Sequence, residues 1–166
     1  MCDGELLGVG LVGADLRNAN LALATLTDAN LIEADVRNVN LSGSIGRGAC
    51  LRGANFREEK RVYQGANFRG ADFSFADFQG ADLTGADLTR ANLTGANLSE
   101  CCLFGANLTE ADLSGARLNK AILTEGNLTQ AILVKADLTA ARLERSQLTR
   151  ANLNGSFGQM ILMAEA

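Results

Sequence analysis

Residues 81–120 read ADLTG ADLTR ANLTG ANLSE CCLFG ANLTE ADLSG ARLNK, a unit of five with a bulky apolar residue at its centre. A small residue stands two places before each centre, and Asp or Asn commonly stands just before it. Working outward from this stretch, centres recur at every fifth position from Leu11 to Phe56, slip by two, and recur again from Phe68 to Leu153. That makes 28 units in two registers.

Of the 28 centres, 27 are Leu, Phe or Val, with Gly46 the exception; 26 of the residues two before a centre are Ala, Cys, Ser or Gly. The residue just before the centre is Asp or Asn in 18 units. A period of five is neither the 3.6 of a helix nor the 2 of a plain strand, so the chain must turn every five residues. Asp, Asn, Gly, Ser and Thr supply turn chemistry at each corner, and a short extended piece between corners turns one large and one small side chain inward. Units of this kind stack as a solenoid.

Tandem A(D/N)LXX resembles the pentapeptide-repeat family over about 140 of the 166 residues. The resemblance implies an all-β fold, a right-handed quadrilateral β-helix of four units per coil, with centre and Ala positions inside and the other three facing out. Twenty-eight units then give about seven coils, a rod roughly 34 Å tall at the ladder spacing of about 4.8 Å. The expected organisation is a single β-helix over 1–156, with a register-shifting insertion at 57–65, and a carboxy-terminal cap over 157–166 in which Phe157, Met160, Ile161 and Met163 close the last coil. Gyrase-protecting members of the family dimerise through that end, so a homodimer contact is the alternative use of this segment.

Stacking makes residues 20 apart neighbours, and the two-residue slip raises this to 22 across the insertion. On that count Leu16, Val36, Phe56, Phe78, Leu98, Leu118 and Leu138 form one core ladder, with Phe78 over Phe56. Phe68 and Phe73 complete an aromatic cluster that fills a coil widened at the slip. Leu26, Gly46, Phe68 and Leu88 fall on a second face, which carries Thr89, Thr109, Thr129 and Thr149.

The candidate interaction residues are departures from the pattern. The insertion REEKRVYQG, 57–65, breaks the register and holds Arg57, Lys60, Arg61 and the sole tyrosine, Tyr63. Insertions in solenoids map to loops, and loops on rigid scaffolds carry recognition. Phe104 and Ile122, with Cys102, point outward where polar groups are the rule, as do Ile132 and Val134 on another face. Arg17, Arg37 and Arg57 align on one face, where Asp15 and Asp35 neutralise the first two.

Composition bounds the chemistry. The chain has no His, no Pro and no Trp, and a net charge of −4. Without imidazole there is no general base tuned to neutral pH, no Ser-His or Cys-His pair and no His ligand. A packed rod offers no concave pocket, so the reading is not an enzyme, with no cofactor and no metal. Cys2, Cys50, Cys101 and Cys102 lack metal-ligand spacing, and Cys50 and Cys102 are expected on opposite faces as free thiols, consistent with a reducing cytoplasm. No long apolar span or basic leader is apparent, so no membrane contact is expected. Six basic residues between 44 and 69 form a local belt, but spread over several faces they make a poor nucleic-acid footprint.

The functional expectation is therefore a non-catalytic β-helical scaffold, a protein–protein interaction module for an unidentified protein partner. The alternative implied by the resemblance is a DNA mimic that binds gyrase. That role needs an acidic stripe along one face, whereas Asp72, Asp77, Asp82 and Asp87 run round one coil.

Overall fold

The structure is a computed structural model that describes residues 6–57 and 65–158; Lys60, Arg61, Tyr63, Cys2 and the cap residues Met160, Ile161 and Met163 lie outside the described residues. One unit shows why five residues suffice to build it. In Ala81–Gly85, Ala81 N–H donates to Phe78 O (2.9 Å) and closes the preceding turn, Asp82 N–H donates to Ala54 O in the coil below, and Leu83 N–H donates to Cys102 O (2.7 Å) in the coil above. Thr84 N–H donates to Asp82 Oδ1 (3.0 Å). Gly85 N–H donates to Phe104 O (3.0 Å). Every backbone donor of the unit is satisfied, which a buried ladder requires. The Asp or Asn before the centre is explained in the same stroke, because its side chain holds the one N–H the ladder leaves over.

The last residue of each unit turns the corner. Gly85 has φ of 68°, the left-handed value that the second central residue of a type II turn demands. Charged residues also occupy these corners, Arg90, Glu100 and Lys120 among them, each with φ near 60°. Parallel bridges then join each unit to the one 20 residues on, as Asp82 to Cys102 and Cys102 to Ile122. Successive units occupy four faces. Face A holds centres Leu11, Leu31 and Leu51, face B Leu16, Val36 and Phe56, face C Leu21 and Leu41, and face D Leu6, Leu26 and Gly46. The solenoid thus includes the unit before Leu11, with Leu6 N–H on Thr25 O. Among the described residues there is no helix. Inside are the centres and the small residues, buried from Ala24 to Leu143, and inward Ser44 satisfies its hydroxyl on Leu41 O (2.7 Å).

The seam at the insertion corrects the expected stacking. Asn40 bridges Asn67, Ile45 bridges Asp72, Cys50 bridges Asp77 and Asn55 bridges Asp82, a spacing of 27 and not 22. Seven residues, and not two, are therefore surplus to the ladder. A period counted modulo five cannot tell these apart, because seven residues contain one whole unit more than two. The ladder steps from Phe56 to Phe68 on consecutive faces, with Ala66 N–H reaching Phe56 O at 3.4 Å.

Every upper face accordingly moves round by one. The Leu16–Val36–Phe56 column continues into Leu83, Leu103, Leu123 and Leu143, while Phe78, Leu98, Leu118 and Leu138 stand over Leu51 on face A. Phe68 and the Leu88 column belong to face C, and Phe73 stands over Gly46 on face D. Cys50 and Cys102 fall on adjacent faces, A and B, and both are free thiols. The aromatic cluster is now intelligible: Phe56, Phe68, Phe73 and Phe78 contribute one ring from each side of a single turn, with centroids of sequential rings 5.0–5.6 Å apart. Phe56 and Phe78 touch across this turn, centroids 6.2 Å apart, and do not stack as ladder neighbours. Gly46 makes their room, since a Cβ there would overlap the Phe73 ring.

Candidate interaction surface

The corrected register brings together candidate residues that the sequence count separates. Arg57 lies on face B, and two ranks above it, about 10 Å along the axis, stand Cys102 and Phe104, with Ile122 one rank higher. The chain leaves the ladder for the 58–64 segment directly after Arg57. Face B therefore gathers Arg57, the root of the insertion, Phe104 and Ile122. Ile132 and Val134 lie on face D, across the rod from them, and share no surface with them.

Local chemistry marks face B. In its lowest ranks Arg17 holds Asp15 through two nitrogens (2.8 and 2.7 Å), and Arg37 holds Asp35 the same way. The Arg17 side chain and backbone N–H bring the Asp15 carboxyl down to about 2, and Arg37 likewise lowers that of Asp35. These two arginines are thus neutralised in place, as the sequence suggests. Arg57 stands above them with neutral Asn55 as its neighbour; it is exposed, and its backbone N–H donates to Asn55 Oδ1 (3.1 Å). No ion pair to Arg57 occurs among the described residues.

Higher on the face, the residues just before the centre are Cys102 and Ile122, where Asp or Asn would accept the backbone N–H two places on. These positions forgo the acceptor that Asp82 gives Thr84. Phe104 is 41% exposed, and Cys102 is half-buried with Sγ 3.2 Å from Thr84 Oγ1. Above the patch, Glu144 takes hydrogen bonds from Thr124 Oγ1 (2.9 Å) and Arg142 Nε (3.1 Å). The apolar patch is bounded by Asp82 and Arg57 below and by an ion pair above.

The basic belt is a girdle. Arg47, Arg52, Arg57 and Arg69 follow the centres of four consecutive units, one on each face, and Asp72, Asp77, Asp82 and Asp87 form a matching ring one rank higher. Arg47 meets Asp72 at 2.7 Å and Arg69 meets Asp87 at 3.2 Å. Burial raises the carboxyls of Asp72 and Asp87, but hydrogen bonds outweigh it and both end below the ordinary carboxylate value: at Asp72 chiefly from Arg47 and Ser74 N–H, at Asp87 from Thr89 and Arg69. On face C, Thr89 and Thr109 spend their hydroxyls on Asp87 and Asn107 (2.6 and 2.7 Å), so this ladder is tied down along the backbone.

Sequence reasoning missed Leu23, Ile45 and Phe75, which are 65%, 43% and 71% exposed. The signal was present, since each is an apolar residue where the unit calls for a polar group or glycine.

The family model for pentapeptide repeats matches eight copies over residues 8–43, 66–105, 101–139 and 121–157. Among solved structures, the chain is similar to HetL, a pentapeptide repeat protein involved in heterocyst differentiation regulation from the cyanobacterium Nostoc sp. strain PCC 7120. That match has 36% identity and a TM-score of 0.54, and it covers 93% of this chain and 65% of HetL. This chain thus spans about two thirds of HetL. It is also similar to Rfr23 of the cyanobacterium Cyanothece 51142, with 26% identity and a TM-score of 0.51, covering 75% of this chain and 91% of that one. No curated protein matches the chain. These likenesses establish the right-handed quadrilateral β-helix.

Proposed function

The chain belongs to the pentapeptide-repeat family, and from that premise we propose that it is a non-catalytic scaffold that binds a protein partner through face B. One observation carries the reading. On this face alone, the exposed Arg57 at the root of the insertion lies in register with an apolar patch, Cys102–Phe104–Ile122, that has given up the Asx hydrogen bonds of its units. A hydrogen bond of that kind is worth about 0.5–1.5 kcal/mol, so its absence at successive ranks is a cost that packing inside the rod does not repay. An apolar spot beside a cation suits a protein surface with an acidic rim around an apolar centre.

Lys60, Arg61 and Tyr63, the other candidates in the insertion, lie outside the described residues. DNA mimicry of the gyrase-binding kind fits less well, because Asp15, Asp35, Asp72 and Asp87 are neutralised by arginines and the acids ring the rod.

The test is capture from native lysate with wild type and with Phe104→Ser and Arg57→Glu variants. A partner held by wild type and lost in both variants supports the reading. A partner retained by both, or the recovery of gyrase together with inhibition of supercoiling, overturns it.

A further inference from the structure

Face D, across the rod from the proposed partner surface, carries a second pattern. Of the eight large apolar side chains exposed among the described residues, five, Leu7, Leu23, Ile45, Phe75 and Ile132, lie on face D or on the corners that bound it. Phe75 stands out. It occupies a left-handed corner with φ of 60° while 71% of it is exposed, so neither backbone preference nor burial accounts for a phenylalanine there. Its neighbours along the same corner are glycines, Gly48 one rank below and Gly95 and Gly115 above, and the ring lies against Gly95, where an added Cβ would come within 2.7 Å of it. A single ring projects from an otherwise smooth edge.

The charges on this surface are arranged in a way that one rod cannot use. On the corner that bears Phe75, Asp28 stands two ranks below it and Lys135 three ranks above. Both are exposed, and neither has an ion pair among the described residues. Five ranks, roughly 24 Å, separate them.

We propose that face D is a self-association surface, on which a second copy of this chain packs antiparallel about a two-fold axis crossing the face between the ranks of Asp72 and Asn92. That symmetry returns each corner to the same corner with the direction reversed. The rank of Asp28 then faces that of Lys135 in the second copy, Phe75 faces Gly95, and the rank of Arg47 faces that of Asp112. Each contact occurs twice, as an isologous interface requires. A parallel copy leaves Asp28 and Lys135 five ranks apart. A face about 30 Å long and 10 Å wide gives a footprint of about 600 Å² over both copies, below the range of stable specific interfaces, so the dimer is weak and concentration-dependent. Because face B lies opposite face D, the dimer presents both B faces outward. The dimer stands without the partner reading of face B, and only its use as a bivalent adaptor rests on that reading.

Sedimentation equilibrium of the purified full chain, with no partner present, tests this across roughly 10–500 µM, the range of a weak interface. Wild type is expected to pass from monomer to dimer. Phe75→Gly, which relieves the left-handed corner and so leaves the fold intact, is expected to stay monomeric. Asp28→Lys and Lys135→Asp should each weaken dimerisation about tenfold, and the double exchange should restore it. A monomeric wild type, a dimer that survives Phe75→Gly, or a double exchange that fails to restore association overturns the proposal, and none of these outcomes bears on partner capture by face B.

Discussion

At the scale of single residues, the packing of this rod is decided where the repeat is broken. The inward pattern of Leu and Ala is legible from residues 81–120 alone, and 27 of 28 centres obey it. Gly46 reads as a defect in that list, yet it is the complement of Phe73, which stands over it and fills the space its missing side chain leaves. The sequence could not reveal the pairing, because it hangs on a spacing of 27 across the insertion. Gly46→Leu should therefore overpack the column and cost about 1–3 kcal/mol or more, seen as a lower melting temperature, and Phe73→Leu in the same chain should recover most of the loss. If the two substitutions are additive, Gly46 and Phe73 do not share a column.

At the scale of the unit and its corners, hydrogen bonds and ion pairs run along the ladders. Corner residues pair with the corner 20 places on, as Arg90 with Glu110 (2.8 Å) and Lys120 with Glu100 (3.1 Å). Such exposed pairs contribute about 0–1 kcal/mol each. The Asx bond matters more consistently, and Ile122→Asn should restore an acceptor for Thr124 N–H and raise stability by about 1 kcal/mol while weakening partner binding through face B. A melting temperature that falls would show that Ile122 serves the fold.

The seam carries part of the acid sensitivity, beside the Asp15–Arg17 and Asp35–Arg37 pairs lower on the rod. Asp72 and Asp87 titrate below the ordinary value when folded, since the hydrogen bonds from Arg47, Ser74, Thr89 and Arg69 outweigh the opposing effect of burial. As pH falls, the unfolded chain takes up these protons first, near its usual pKa of about 3.9, so this contribution is complete above about pH 5 and drains as pH drops through 4. Melting temperature should be flat from pH 7 to 5 and fall below 4, and Asp72→Asn should lower it at pH 7 while flattening the acid limb.

At the scale of the whole molecule, the fold class was legible and the arrangement of its surfaces was not. Period, turn residues and inward pattern specify a solenoid, the family resemblance implies its four-sided section, and each unit hydrogen-bonds only to itself, the preceding unit and the coils directly above and below. The grouping of exposed residues depends instead on one integer, the number of residues the ladder omits at the insertion. Counting two placed Arg57 on a different face from Phe104; the backbone omits seven and unites them on face B, with Ile132 and Phe75 left to the far side and its edge. Phe75 and Leu23 are apolar residues at corners that otherwise hold mostly glycine or polar groups, and their positive φ and exposure mark them in the structure.

That integer is open to direct measurement with the native thiol of Cys50, which lies on face A next to Asp77 in the coil above. Adjacent ladder positions are about 4.8 Å apart, inside the span a disulfide bridges. Under mild oxidation, Asp77→Cys should form a bond between position 77 and Cys50, mapped by peptide mass, while Asp72→Cys should not reach Cys50. A bond from position 72 and none from 77 would mean the coils stack at 22, and with it the surfaces assigned to faces B and D would come apart.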